Sequence, residues 1–294
     1  MSLWNFTRHS ASILACTFAA QGCSEQYAKL QTVYNSDSRQ AVSEQNAFLG
    51  PFSSSVALLT RSFRIQKVDE LKFHISAPKF GDFFGLCSTE AFYNEPVLGD
   101  CTGFLVSDQL LVTAGHCISN EKECDSRVFI FNHFNPDLET FHSSQVHTCR
   151  RIVSSLPKSA GDLVLVELDR AVKLHPESKP FLLSKEEISS TRPDVLMTLG
   201  HPSGLSLKAA PFEGQTGSGD QIYFFGMADV SGGSSGSPLF DPQTGRVHGV
   251  LVGGENDFVW DTSASCSRSR VCTSSTCVGE RFATQDALAQ LFTP

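Results

Sequence analysis

The stretch Leu110-Leu111-Val112-Thr113-Ala114-Gly115-His116-Cys117 reads as a short hydrophobic strand that ends on a glycine and delivers a histidine beside a cysteine. Much later, Gly232-Gly233-Ser234-Ser235-Gly236-Ser237-Pro238 sets serines in a glycine-rich turn, whose backbone N–H groups are free to point at an oxyanion. A base and a hydroxyl held this way are what acyl transfer by an activated serine needs.

Outward from the first stretch, short strand patterns recur. They are Phe104-Leu105-Val106, Val128-Phe129-Ile130-Phe131, Leu163 to Leu168, Val195 to Leu199 and Val247 to Val252. A β-like run also begins over Ser53 to Leu59. Many short strands without long helices between them predict an antiparallel sandwich or barrel. Thr284 to Phe292 is the best helix candidate, with Thr284 as N-cap and Asp286 in the first turn. The Gly- and Ser-rich stretch 213–220 reads as a long loop between strands. The polar stretch 24–52 reads as a leader or surface arm.

Hydrophobic residues make up 40% and charged ones 18%, the balance of a folded chain with a real core. A net charge of −8 without a basic run gives no electrostatic footprint for nucleic acid. Phenylalanine is abundant, with 23 copies against 3 methionines, and the sequence alone ties that excess to no function.

Arg8 and His9 precede the short apolar run Ala11 to Ala20, which has the order of a secretory signal and is too short to span a bilayer. Two kinds of processing fit. An ordinary signal peptidase would cut near Ala19 to Gly22, and a lipoprotein box at Ala20-Gln21-Gly22-Cys23 would leave Cys23 as a lipid anchor. Either way the chain is expected to be exported, as a secreted, periplasmic or cell-envelope protein. With Cys16 and Cys23 set aside, the remaining cysteines are Cys87, Cys101, Cys117, Cys124, Cys149, Cys266, Cys272 and Cys277. An even set in an exported chain reads as disulfides. Cys266, Cys272 and Cys277 make a poor zinc site, since no histidine lies near them.

Together these segments resemble the chymotrypsin/trypsin-like serine proteases over about residues 53–292. Thr113-Ala114-Gly115-His116-Cys117 is similar to the segment that carries the catalytic histidine. Gly161-Asp162-Leu163-Val164-Leu165-Val166 is similar to the one that carries the aspartate, and Gly233-Ser234-Ser235-Gly236-Ser237-Pro238 to the nucleophile turn. The chain order His116, Asp162, Ser235 also matches that family and differs from those of subtilisin and the α/β-hydrolases. The Gly-Ser-Pro ending and the loop Gly200-His201-Pro202-Ser203-Gly204 resemble bacterial members of the glutamyl-endopeptidase (V8-like) type.

The resemblance implies an all-β fold of two six-stranded antiparallel β-barrels with a C-terminal helix. The implied division is a signal at 1–23, an arm at 24–52 and a protease domain at 53–294. It further implies a monomeric serine endopeptidase acting on proteins or peptides, with no metal and no organic cofactor. His116, Asp162 and Ser235 would form the triad, and the N–H groups of Gly233 and Ser235 the oxyanion hole. Val252, Gly253 and Gly254 would pair with substrate backbone, and a Cys101–Cys117 disulfide would anchor the histidine turn. Cys124–Cys149 is the second expected pair, and the other four cysteines are left unassigned.

Each role has a plainer alternative. Asp162 at a strand start also suits a turn in which its carboxylate binds backbone amides. Ser234 and Ser237 compete with Ser235, and the remaining histidines, His74, His133, His142, His147, His175, His201 and His248, read as surface or loop residues. Ser234 stands where animal relatives carry the aspartate that pairs with a newly cut N-terminus, so activation of that kind is not expected. Glutamyl-specific relatives carry a histidine where Leu251 stands, which disfavours strict glutamate preference. Asp229, six residues before Ser235, falls where trypsin-like enzymes bind lysine or arginine. The competing function is an inactive protease homologue that serves as a binding module. A quality-control protease with an added peptide-binding domain would need more chain after Ser235 than this sequence gives.

Overall fold

The computed structural model describes residues 37–43, 46, 49–174, 177–184, 196–216, 219–272 and 276–293. All of the described residues belong to one compact unit, 32–294. The expected signal and Cys23 lie outside the described residues.

Alternating and fully apolar strands close into two six-stranded antiparallel barrels. Around the first, the order is Leu163–Leu168, Leu110–Ala114, Cys101–Leu105, Val56–Arg61, Arg127–Phe131 and Val146–Leu156, which pairs back with Leu163–Leu168. Around the second it is Lys208–Gln215, Met197–Gly200, Pro238–Asp241, Arg246–Gly253, Glu280–Thr284 and Tyr223–Ala228, closed by pairing of the last with the first. Closure removes the exposed strand edges that an open sheet of this size would carry. The two barrels share one buried cluster, in which Val112, Leu165 and Phe104 of the first meet Val250, Phe240 and Ala283 of the second.

The phenylalanine excess is largely core. Phe181 lies between the barrels with ring centroids 5.4 Å from Phe52, 5.4 Å from Phe104 and 5.0 Å from Phe240. Phe212, Phe224 and Phe282 form a second such group inside the C-terminal barrel. Tilted and edge-on pairs of this kind add about 0.5–1.5 kcal/mol each beyond the area they bury.

The expected C-terminal helix spans Gln285–Gln290, with the Thr284 hydroxyl accepting from the Ala287 N–H. Its Ala287 and Leu288 enter the shared core. The 213–220 stretch is not all loop. Glu213 to Gln215 finish a strand that pairs with Tyr223–Ala228, because the solvent-facing side of that hairpin is free to be polar. Part of the expected arm is also built in, since Gln40–Ala41 pairs with the Lys208–Gln215 strand and Val42, Leu49 and Phe52 are core residues.

Four disulfides staple the described chain: Cys101–Cys117 and Cys124–Cys149, as expected, with Cys87–Cys266 and Cys272–Cys277. Three histidines read as surface or loop residues are instead buried: His133, His147 and His201. His133 and His201 stack with centroids 5.9 Å apart, and among the described residues neither nitrogen of His133 has a hydrogen-bond partner. Burial drives both far from protonation, His201 down to about 3.

Candidate active site

The Leu110–Ala114 strand runs into a tight turn at Gly115–Cys117, and the disulfide from Cys117 to Cys101 fixes that turn to the neighbouring strand. Pairing of Ala114 with Leu163 brings Asp162 alongside, where the Gly115 N–H donates to the Asp162 carbonyl at 2.6 Å. Asp162 adopts a left-handed conformation, φ 54°, which aspartate tolerates better than most residues. Its carboxylate is directed at the imidazole, with Oδ2 2.8 Å from His116 Nδ1. The Asp162 side chain is only 5% exposed and that of His116 35%, so a buried carboxylate supports a ring that is itself partly open to solvent. A carboxylate accepting from Nδ1–H leaves Nε2 as the basic nitrogen.

Next to Cys117 lies the Gly232–Pro238 turn. Ser234 and Ser237 are buried, whereas Ser235 is partly exposed, so its hydroxyl is the one of the three that a solute can meet. The turn is held on all sides. Thr102 N–H donates to the Ser235 carbonyl at 2.9 Å, Gly236 N–H to the Leu251 carbonyl at 2.7 Å, and the Thr102 hydroxyl to the Gly233 carbonyl at 2.9 Å. Gly233 has φ 96°, and a β-carbon there would come within 2.8 Å of the Gly204 nitrogen and the His201 carbonyl. The Gly232 carbonyl accepts from Ser203 N–H at 2.5 Å. In a trans peptide, that turns the Gly233 N–H away from the Gly200–Gly204 loop.

His116 and Ser235 flank the same disulfide. Cys117 Sγ lies 3.8 Å from the Ser235 carbonyl oxygen, and a His116 ring nitrogen and both sulfurs lie within 4.8 Å of one another. Because both sulfurs are spent in the bond, this group offers no thiolate to a metal. Among the described residues no hydrogen bond joins His116 to Ser235, and contacts of this kind commonly tighten when substrate enters.

Beside Ser235 is a pocket whose wall includes Gly253, Gly254, Glu255, Asp257 and Glu280. Val252, the first residue of the expected substrate strand, is buried. Asp229 is not on that wall. It lines the adjoining cavity with Arg39, and its Oδ2 accepts from the Ser38 N–H at 2.8 Å and the Ser38 hydroxyl at 2.6 Å. Burial raises the Asp257 carboxyl, whose Oδ2 accepts from Gly232 N–H at 2.8 Å, and burial with nearby acids pushes Glu280 up to about 9. The supports that sequence reasoning missed are thus Thr102, Ser203, Asp257 and Glu280. Only the Gly253-Gly254 pair, which leaves space for a neighbour's side chain, hinted at the last of them.

A family model of the trypsin-like peptidase domain matches residues 101–250, about half of the chain. This chain belongs to the trypsin-like peptidase domain family. Membership places it, in coarse terms, among the serine-protease-like hydrolases. Comparison with curated protein sequences finds no match. Among solved structures, the trypsin-like domain is similar to the inactive form of the Rv3671c protease at 17% identity, over 84% of this chain and 91% of that one, with a TM-score of 0.46. It is also similar to the active form of that protease from M. tuberculosis, at 16% identity over 84% and 83% of the two chains, with a TM-score of 0.45. A third is the inactivated protease paralogue S-I1 of the scabies mite, at 16% identity over 65% and 86%, with a TM-score of 0.47.

Proposed function

We propose that this trypsin-like chain is an exported serine endopeptidase that cleaves peptide bonds through an acyl-enzyme. The observation that carries the reading is the 2.8 Å contact between His116 Nδ1 and the buried Asp162 carboxylate, beside the Cys101–Cys117 disulfide against which the partly exposed Ser235 also lies. A module that only bound its target would have no use for an oriented base.

In this reading His116 Nε2 takes the Ser235 proton as Oγ bonds to the substrate carbonyl carbon, and Asp162 fixes the tautomer and stabilises the imidazolium. The N–H groups of Gly233 and Ser235 hold the oxyanion. The imidazolium then protonates the leaving amine as the C–N bond breaks. Water, giving its proton to His116, cleaves the acyl ester and restores the serine. Val252, Gly253 and Gly254 pair with the substrate backbone.

The wider account is part of the same proposal. A signal at 1–23 exports the chain, by ordinary cleavage or with lipid attachment at Cys23, and the four disulfides support an oxidising compartment. No helix among the described residues is long and apolar enough to cross a membrane. The segment 53–294 is the protease domain, acting as a monomer on protein or peptide substrates. The Gly236-Ser237-Pro238 ending and the Gly200–Gly204 loop support kinship with bacterial glutamyl-endopeptidase-type enzymes. Their preference does not carry over, since Leu251 stands in place of the histidine and carboxylates line the pocket.

The test is hydrolysis of an unstructured protein by the purified chain, with Ser235→Ala, His116→Ala and Asp162→Asn compared. Losses of about 10⁴-fold in folded variants are expected. Undiminished hydrolysis by folded Ser235→Ala would reject the proposal.

A further inference from the structure

We propose that Tyr223, on the second barrel, is a positioning residue for Asp162 on the first: its hydroxyl closes the turn that aims the carboxylate at His116. The assignment rests on the endopeptidase reading and adds to it a residue that acts through the aspartate and does not touch substrate.

The turn needs holding. Gly161 and Asp162 follow one another with φ 128° and φ 54°, two successive residues on the left-handed side of backbone space. Glycine adopts this freely, but at Asp162 the conformation persists only where the surroundings enforce it. The first barrel supplies part of the restraint. The Gly115 N–H donates to the Asp162 carbonyl at 2.6 Å, and the Asp162 N–H to the Pro157 carbonyl at 3.0 Å.

The second barrel and the C-terminal helix supply the rest. The Tyr223 hydroxyl donates to the Lys158 carbonyl, and the Gly161 N–H faces the same oxygen, so one side-chain atom bridges both ends of the Lys158–Ala160 turn. Gly161 is buried, and a β-carbon on it would stand 3.0 Å from that of Ala287. Removing the hydroxyl takes the oxygen away from a buried N–H, a loss that movement of the turn relieves. Asp162 is the next residue in the chain, so that movement reaches its carboxylate.

Tyr223 is itself fixed. Its N–H donates to Asp220 Oδ1 at 2.7 Å, it pairs with Ala283 in the sheet, and the Arg281 guanidinium lies 5.1 Å from its ring centre. Burial, and then the charge of Asp162, raise its hydroxyl above the ordinary pKa against the pull of Arg281, so it keeps the proton it donates. The pocket beside Ser235 is lined by neither Tyr223 nor the Lys158–Ala160 turn. A change at Tyr223 should therefore alter turnover and leave substrate binding as it is.

The test is peptide kinetics on the full chain, with wild type, Tyr223→Phe, Asp162→Asn and the double variant compared. Tyr223→Phe keeps the ring and should lower kcat about 10- to 100-fold with KM little changed. In the Asp162→Asn background the same substitution should cost less than about twofold, because no carboxylate is left to aim. Proton NMR gives a second reading. The His116 Nδ1–H shared with Asp162 should give a far-downfield resonance, absent in His116→Ala and moved upfield or broadened in Tyr223→Phe. Ser154→Ala is the control, since the Ser154 hydroxyl joins the first barrel to the Leu291 carbonyl at 2.6 Å and not to the Asp162 turn. It should match the wild type in both readings.

A wild-type kcat in Tyr223→Phe, an equal loss in the Asp162→Asn background, an unmoved resonance, or an equal loss in Ser154→Ala would overturn the assignment. In the wild type, which needs no variant to fold, the Gly161 amide should exchange its hydrogen slowly, and exchange at the rate of a solvated turn amide would also overturn it. A chain whose resonance shifts as stated but which hydrolyses nothing fails the endopeptidase reading alone. One that hydrolyses peptides equally well without the Tyr223 hydroxyl fails the Tyr223 assignment alone.

Discussion

Gly115 and Asp162 are fitted to one another: a β-carbon on Gly115 would stand 2.8 Å from Asp162 Oδ1 and 3.0 Å from its carbonyl carbon. The glycine before the histidine is thus the space into which the carboxylate fits on its way to His116. Gly115→Ala should displace Asp162 from Nδ1 and lower kcat/KM by about 10²-fold, the scale of a misplacement near 1 Å. Peptide kinetics with a thermal melt check this, and a folded variant with full activity would show that the fit is incidental.

Gly233→Ala should strike a different step. Its positive φ and the backbone of the 201–204 loop leave no place for a methyl group, so the turn must shift and carry the proposed oxyanion donor with it. A fall of about 10²–10³-fold in kcat, with KM little altered, is expected for a lost donor. Equal losses in kcat and in affinity for a substrate-sized inhibitor would point instead to a collapsed pocket.

The disulfides should differ in worth by the loop each closes. Cys87–Cys266 spans 179 residues, Cys101–Cys117 spans 16 and Cys272–Cys277 only 5. Chain entropy gives about 5 kcal/mol for the first and about 3 kcal/mol for the second, with less for the third. Paired Cys→Ala variants unfolded in guanidinium should follow that order. Loss of Cys101–Cys117 should also depress activity most, since it anchors the His116 turn.

Acid should unfold the protein partly through His133 and His201. Both are buried uncharged, and desolvation lowers their pKa below the ordinary 6.5 of the unfolded chain. Below about pH 6.5 the unfolded chain therefore binds protons that the fold excludes, and stability drops as pH falls toward about 3. The loss is up to about 1.4 kcal/mol per pH unit for each ring. His133→Phe should have a shallower fall in guanidinium midpoint between pH 7 and 4.5 than the wild type, and parallel curves would refute this.

What the sequence made legible was local. The barrel strands, the helix cap at Thr284 and the contact between His116 and Asp162 each depend on runs of a few residues, or on strands whose pairing those runs specify. Long-range placement was not legible. Nothing near Cys87 announces a partner 179 residues away, and His133 in Phe131-Asn132-His133-Phe134 is buried, with the rings of Phe141 and the distant His201 against it. Glu280 reads as a solvated acid at a strand start until Gly254 is seen to leave its carboxyl a place. Ser38 reads as part of a polar arm, yet its N–H and hydroxyl both serve Asp229.

The most direct measurement of the central claim is site mapping of a fluorophosphonate adduct on the native chain by mass spectrometry. If His116 and Asp162 activate Ser235, one adduct forms, on Ser235, and labelling is lost in His116→Ala and strongly slowed in Asp162→Asn. Adduct on Ser234 or Ser237, or labelling of Ser235 at the same rate without His116, would contradict the account.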